Sequence, residues 1–199
     1  MNTGLINDVK LEGRPADKYY KVFTLIILLL VPLLALRPLF DNDTYTLLNI
    51  GKYIMAHGFP STDPFTIHEG LSYIIEQWLT AVIFYILYGS MGKAALYIMA
   101  IAIYYATGFV IYLTSMKISG GNKPVSTAVT VISVAFLSLF IVLRPQLFSV
   151  LLFILEIYIL EAYIQSRKNI ILACLPLISL LLINLQSALW IFFFLLYIP

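Results

Sequence analysis

Charge is scarce in this chain. Lys, Arg, Asp and Glu make up 11% of its 199 residues, whereas 61% are hydrophobic and the mean hydropathy is +0.95. Soluble globular domains run near half apolar and a quarter charged. A water-soluble fold could not bury this much apolar surface, and the composition indicates a multi-pass membrane protein. The formal net charge of +2 says little, because the few charges are clustered. Cysteine is nearly missing: Cys174 stands alone in "NIILACLPLISLLLINL". It cannot pair within the chain and reads as a buried structural thiol. With two histidines, His57 and His68, and no cysteine cluster, no zinc-type site is visible in the sequence. The apolar runs do not alternate as barrel strands do, and no period of 20–50 residues repeats.

What is present is a series of long apolar runs. A bilayer core takes roughly 20 mostly apolar residues per helix. That rule predicts spans at about 22–40, 73–90, 94–116, 125–143, 146–165 and 170–186, with a last run from about 188. The expected fold is therefore an all-α, polytopic transmembrane helix bundle of about six to seven membrane helices. Gly, Pro and basic residues mark the breaks at 89–93, 119–124, 144–146 and 165–169. Residues 1–21 read as a cytoplasmic segment ahead of a retained anchor helix, with no small-residue cleavage site after it. Its flank carries Lys10, Arg14, Lys18 and Lys21, which hold it inside and place loop 41–72 outside. Strict alternation then puts Lys117, Lys123, Arg167 and Lys168 outside as well, against the same rule. The sequence stops inside "LWIFFFLLYIP", so further chain is expected beyond residue 199.

Loop 41–72 is the only long polar segment. In it, Tyr45, Leu48, Ile50, Ile54 and Met55 fall near helical spacing, with Asp43 as a candidate N-cap and Gly58 as a stop. This predicts a short amphipathic helix lying on the membrane surface. One helix start needs one cap, which leaves Asp41 for chemistry. Two carboxylates at i and i+2, where water meets hydrocarbon, can act as a base if desolvation raises a pKa. They can also ligate a hard cation such as Mg²⁺ or Mn²⁺. D-x-D alone is a weak signal.

The order of features is more specific than any one of them. One membrane helix is followed by D-x-D at 41–43, then "HGFPSTDPF" at 57–65, "EQWL" at 76–79, Arg144-Pro145-Gln146, and "NLQSALW" at 184–190. In this order the chain resembles the GT-C superfamily of polytopic glycosyltransferases over about 22–199, most of all its bacterial multi-pass members. That superfamily includes protein O-mannosyltransferases, oligosaccharyltransferase catalytic subunits and lipid A aminoarabinose transferases. Gln186 stands where many such proteins carry His. The resemblance implies a polyprenyl-phosphate-linked sugar as donor and acidic residues of the first external loop as base or metal ligand. Carried over, these are Asp41 and Asp43, with Asp41 nearest the end of the first helix. A glycan, lipid or protein would be the acceptor, membrane lipids the surroundings, and nucleic acid no partner.

A departing lipid phosphate needs positive charge to receive it. Arg144 is the candidate, through its fork of donors; a plain interfacial anchor is the alternative. Glu76 stands at the mouth of the second helix, positioned to share a cavity with Asp41. Glu156 lies near mid-span, where a charged carboxylate costs roughly 2.5–3.5 kcal/mol on insertion scales. Lys52, His57 and His68 read as solvated loop residues. Asn184 and Gln186 read as hydrogen-bonding partners between helices. Two rivals stay open: a transporter or lipid-handling protein using Glu156 and Arg144, and an inactive fragment.

Overall fold

The computed structural model describes residues 25, 40–68, 70–138 and 142–197. The expected span 22–40 and the segment 1–21 lie almost wholly outside them. The described residues are helical, with one isolated antiparallel bridge, Thr62–Ser72, and no strand. The helices are α1 (Asn42–His57), α2 (Trp78–Met91), α3 (Lys93–Ile118), α4 (Lys123–Ser138), α5 (Gln146–Ser166), α6 (Cys174–Leu185) and the short α7 (Trp190–Phe194). Among the described residues, α3 and α5 are long and apolar enough to cross a membrane.

The expected spans and these helices agree best at α3 and α5. The span set at 73–90 starts late, because residues 71–77 belong to a turn pinned by Tyr73 N–H donating to the Ser61 carbonyl (3.4 Å). The run from about 188 is broken rather than continuous. Gln186 is extended (φ −161°, ψ 88°), and only short turns and α7 follow. Cys174, expected inside, is exposed. It lies in the first turn of α6, ahead of the buried Ile178, Leu182 and Leu185.

α1 forms as the amphipathic helix expected, and one face of it packs along α2 while Asn42, Asp43, Thr46, Asn49 and Lys52 stay exposed. Its buried face is Thr44, Leu47, Leu48, Ile50 and Gly51, while Tyr45 and Met55 point outward. Gly51 explains the approach. A Cβ there would lie 2.1 Å from the Ala81 carbonyl oxygen and 2.7 Å from Tyr85 Cβ, so only glycine lets the helices meet this closely. The run is antiparallel. At one end Phe40 stacks near Tyr88 (6.4 Å) and Tyr97 (5.6 Å); at the other Phe59 meets Trp78 (5.3 Å).

Contacts fix the remaining directions. Gly92, at φ 63°, turns α2 straight into α3. α4 returns antiparallel to α3, with Ser119 and Ser126 hydroxyls 2.9 Å apart and Tyr104 donating to the Val134 carbonyl. α5 runs parallel to α3. Ile103 and Thr107 share a cavity with Leu147 and Val150, and Gln165 Nε2 donates to the Lys117 carbonyl further along (3.0 Å). The end of α5 thus lies beside the 119–122 turn. The start of α5 lies beside the start of α2, where Ser149 donates to Gln186 and the Glu76 carbonyl accepts from Ser187 N–H.

Candidate functional site

The site is built where α1 begins. Asp41 is extended (φ −107°, ψ 178°) and caps the helix, its Oδ1 accepting from Thr44 N–H at 3.0 Å. This corrects the expectation that Asp43 caps. The helix starts one residue earlier than that reading needs, so Asp43 falls within its first turn. Thr44 is fully buried, its hydroxyl 2.9 Å from Asp41 Oδ1 and 3.0 Å from the Leu143 carbonyl. It ties the start of α1 to the segment before α5.

That tie brings Arg144 in. Arg144 Nε donates to Asp41 Oδ2 at 2.8 Å, and Nη2 lies 2.7 Å from the same oxygen. Nη2 also lies 2.9 Å from Asp43 Oδ2. One guanidinium thus joins both carboxylates of D-x-D across 103 residues of sequence. Pro145 follows at the start of α5, where a missing N–H costs nothing. Beside the pair, Asp43, Thr46, Leu47, Gln77, Arg144, Pro145 and Gln146 line a cleft of about 90 Å³. The positive end of the α5 dipole faces it through Pro145 and Gln146.

The two aspartates are unequal. Burial pushes the Asp41 carboxyl up, but the Thr44 N–H, the Arg144 guanidinium and the Thr44 hydroxyl outweigh it and hold it below the ordinary carboxylate value. Both Asp41 oxygens are committed, and a carboxyl held this low is a weak base. At Asp41, hydrogen bonding outweighs desolvation. Asp43 has an exposed side chain (60%), one described ion-pair contact and a place in the cleft wall.

Glu76 and Glu156 are not brought here. Glu76 is exposed before α2, and its carbonyl accepts Ser187 N–H at 3.0 Å. Glu156 is fully buried in α5, ten residues beyond Gln146 and so about 15 Å along the helix. Asn184 and Gln186 do bridge helices: Asn184 accepts from Trp78 Nε1 (2.9 Å) and Gln186 from the Ser149 hydroxyl (2.6 Å). Thr44, Thr46, Gln77 and Gln146 were not singled out in the sequence. Thr44 had a signal, three residues after Asp41 at capping distance.

Among the described residues no group of three His, Cys, Asp or Glu forms. The Arg144 guanidinium pairs with both carboxylates, Asp41 and Asp43, that the sequence offered as ligands of a hard cation. Compared with family models, curated proteins and solved structures, the chain matches none.

Proposed function

We propose that this chain is a multi-pass membrane protein, GT-C-like, that transfers a sugar from a polyprenyl-phosphate donor at the outer face. The observation that carries the reading is the joining of Asp41, Asp43 and Arg144 around one cleft. Membrane residence draws on the outward apolar faces: Phe109 and Phe136 are 62% and 66% exposed, on α3 and α4. Faces of this kind are stable against hydrocarbon and not against water. The membrane helices of the proposal include the sequence span 22–40.

Asp41 holds Arg144 in position. The donor phosphate enters the cleft and takes Nη2 from Asp43, the more exposed of its two partners. The freed Asp43 carboxylate accepts the proton of an acceptor hydroxyl or amine. The acceptor forms its bond to the anomeric carbon, the bond from that carbon to phosphate oxygen breaks, and Arg144 receives the phosphate charge. Purified protein, a polyprenyl-phosphate sugar and a trapped product measure this. Asp43→Asn and Arg144→Lys should each lose transfer while donor binding survives Asp43→Asn. Full transfer by both variants would remove the site from the mechanism.

A second reading, transport or lipid handling, is favoured by one observation: Glu156 is fully buried in a helix long enough to cross the membrane. An uptake or flip-flop assay on Glu156→Gln, with sugar transfer unchanged, would select it.

A further inference from the structure

Paired side chains lie on one side of a membrane, so an even number of crossings separates Asp41 from Arg144. Both ends of α1 are tied to the side of this site. Asp41 pairs with Arg144 at its start, and Phe59, just past its end, meets Trp78 at the start of α2. That leaves α2, α3 and α4 between the partners, and three crossings would hold them apart. We propose that α2 is not a crossing. It begins and ends on the site side and forms with α1 a helical hairpin at the outer face, while α3 and α4 cross.

The contacts at the two ends of α2 carry this. At its start, Gln77 lines the cleft with Asp43 and Arg144. The Glu76 carbonyl accepts from Ser187 N–H, beside Gln186, which accepts from Ser149 in the first turn of α5. At its end, Tyr88 lies 6.4 Å from Phe40, and Lys93 Nζ lies 4.9 Å from the centre of the same ring. Phe40 adjoins Asp41, so both ends of α2 return to the residues around the site. Its 14 residues cover about 21 Å, short of a roughly 30 Å hydrocarbon layer. α3 and α4 behave differently. α3 runs from Lys93 to Lys117, whose carbonyl accepts from Gln165 in the last turn of α5. α4 returns from the 119–122 turn to Leu137, which shares a cavity with Gln146 and Leu147 at the start of α5.

α2 is apolar without being a span. α1 packs along one side of it and α3 and α6 along others, and Thr80, Ala81 and Phe84 are fully buried. A helix covered on several sides is hydrophobic all round, so its hydropathy is that of the inner helix of a hairpin. The basic residues also sort. With α2 left out of the alternation, Lys117, Lys123, Arg167 and Lys168 all fall opposite the site. Positive residues beside spans stay cytoplasmic. The conflict over those four residues disappears. The cleft becomes a seam between two parts of the molecule: the hairpin supplies Asp43, Thr46 and Gln77, and the crossing bundle supplies Arg144 and Gln146.

The inference rests on the multi-pass reading, and one experiment separates them. In a Cys174→Ser background, Ser61→Cys reports the loop before α2, Gly89→Cys and Ser90→Cys its last turn, and Asn122→Cys the turn between α3 and α4; all four positions are exposed. Cells expressing the full chain are treated with a membrane-impermeant maleimide, intact and then permeabilised. Ser61→Cys, Gly89→Cys and Ser90→Cys should all label in intact cells, and Asn122→Cys only after permeabilisation. Labelling of Ser61→Cys in intact cells, with Gly89→Cys and Ser90→Cys protected until permeabilisation or throughout, would overturn the proposal and leave the membrane reading standing. Labelling of Asn122→Cys alone in intact cells would overturn the placement of the hairpin at the outer face. Equal labelling of all four in intact cells would overturn the membrane reading itself.

Discussion

Asp41 performs two jobs that a substitution can separate. It caps α1 and it holds Arg144. Asp41→Ala removes both and should cost about 0.5–2 kcal/mol for the cap, with up to about 1 kcal/mol more for the half-exposed ion pair. Asp41→Asn keeps a good cap and loses only the pair. Thermal unfolding in detergent should therefore rank the parent above Asn and Asn above Ala; equal losses for Asn and Ala would mean that the cap contributes nothing. The pH dependence follows from the lowered Asp41 carboxyl. A carboxyl held below its ordinary value of 3.8 adds stability above that pH and loses it as pH falls through the lower folded value. The stability gap between the parent and Arg144→Gln should be flat from about pH 5 to 8 and close below about pH 4. A gap that closed near pH 6 would assign it to another group. The roles within D-x-D were the least legible part of the sequence. Capping and chemistry use the same side chain, and one residue of helix start decided between them.

At the level of the helices, α3 and α5 were legible because a run of 21 to 26 apolar residues has few other uses. α1 was legible as a helix, with Gly58 ending it as expected (φ 81°, its N–H on the Ile54 carbonyl at 2.9 Å). Its place was not legible, because an amphipathic pattern reports two faces and not what covers them. Gly51 was the overlooked clue. A glycine within a helix costs about 1 kcal/mol against alanine, and such a cost is sustained where two backbones meet. Gly51→Ala should destabilise the chain by about 1–3 kcal/mol through overpacking, reversing the gain that propensity alone would give. Urea unfolding of membrane-reconstituted protein, or its Tm, decides the sign. Ser90→Ala, at an exposed position in the last turn of α2, serves as the control and should be near neutral.

For the whole molecule, orientation should depend on the basic residues around the end of α5. Replacing Lys117, Lys123, Arg167 and Lys168 together by Gln should give a mixed population in which Asn122→Cys is labelled by a membrane-impermeant maleimide from both sides; unchanged sidedness would assign orientation to the first anchor alone. The joining of Asp41 to Arg144 also has a consequence in time. The partners lie 103 residues apart, and synthesis adds about 5–20 residues per second. For roughly five to twenty seconds, α1 exists with two unneutralised carboxylates at its start. Asp43 and Lys52, with the exposed Asn42, Thr46 and Asn49, make it a poor candidate to enter lipid alone. α1 is thus a helix that waits: α2 supplies the surface it settles on, and the arrival of Arg144 cancels the charge that holds it back. Nascent chains stalled just before and just after α5 has emerged should differ in the protease protection of α1, and the late arrest should show the protected form.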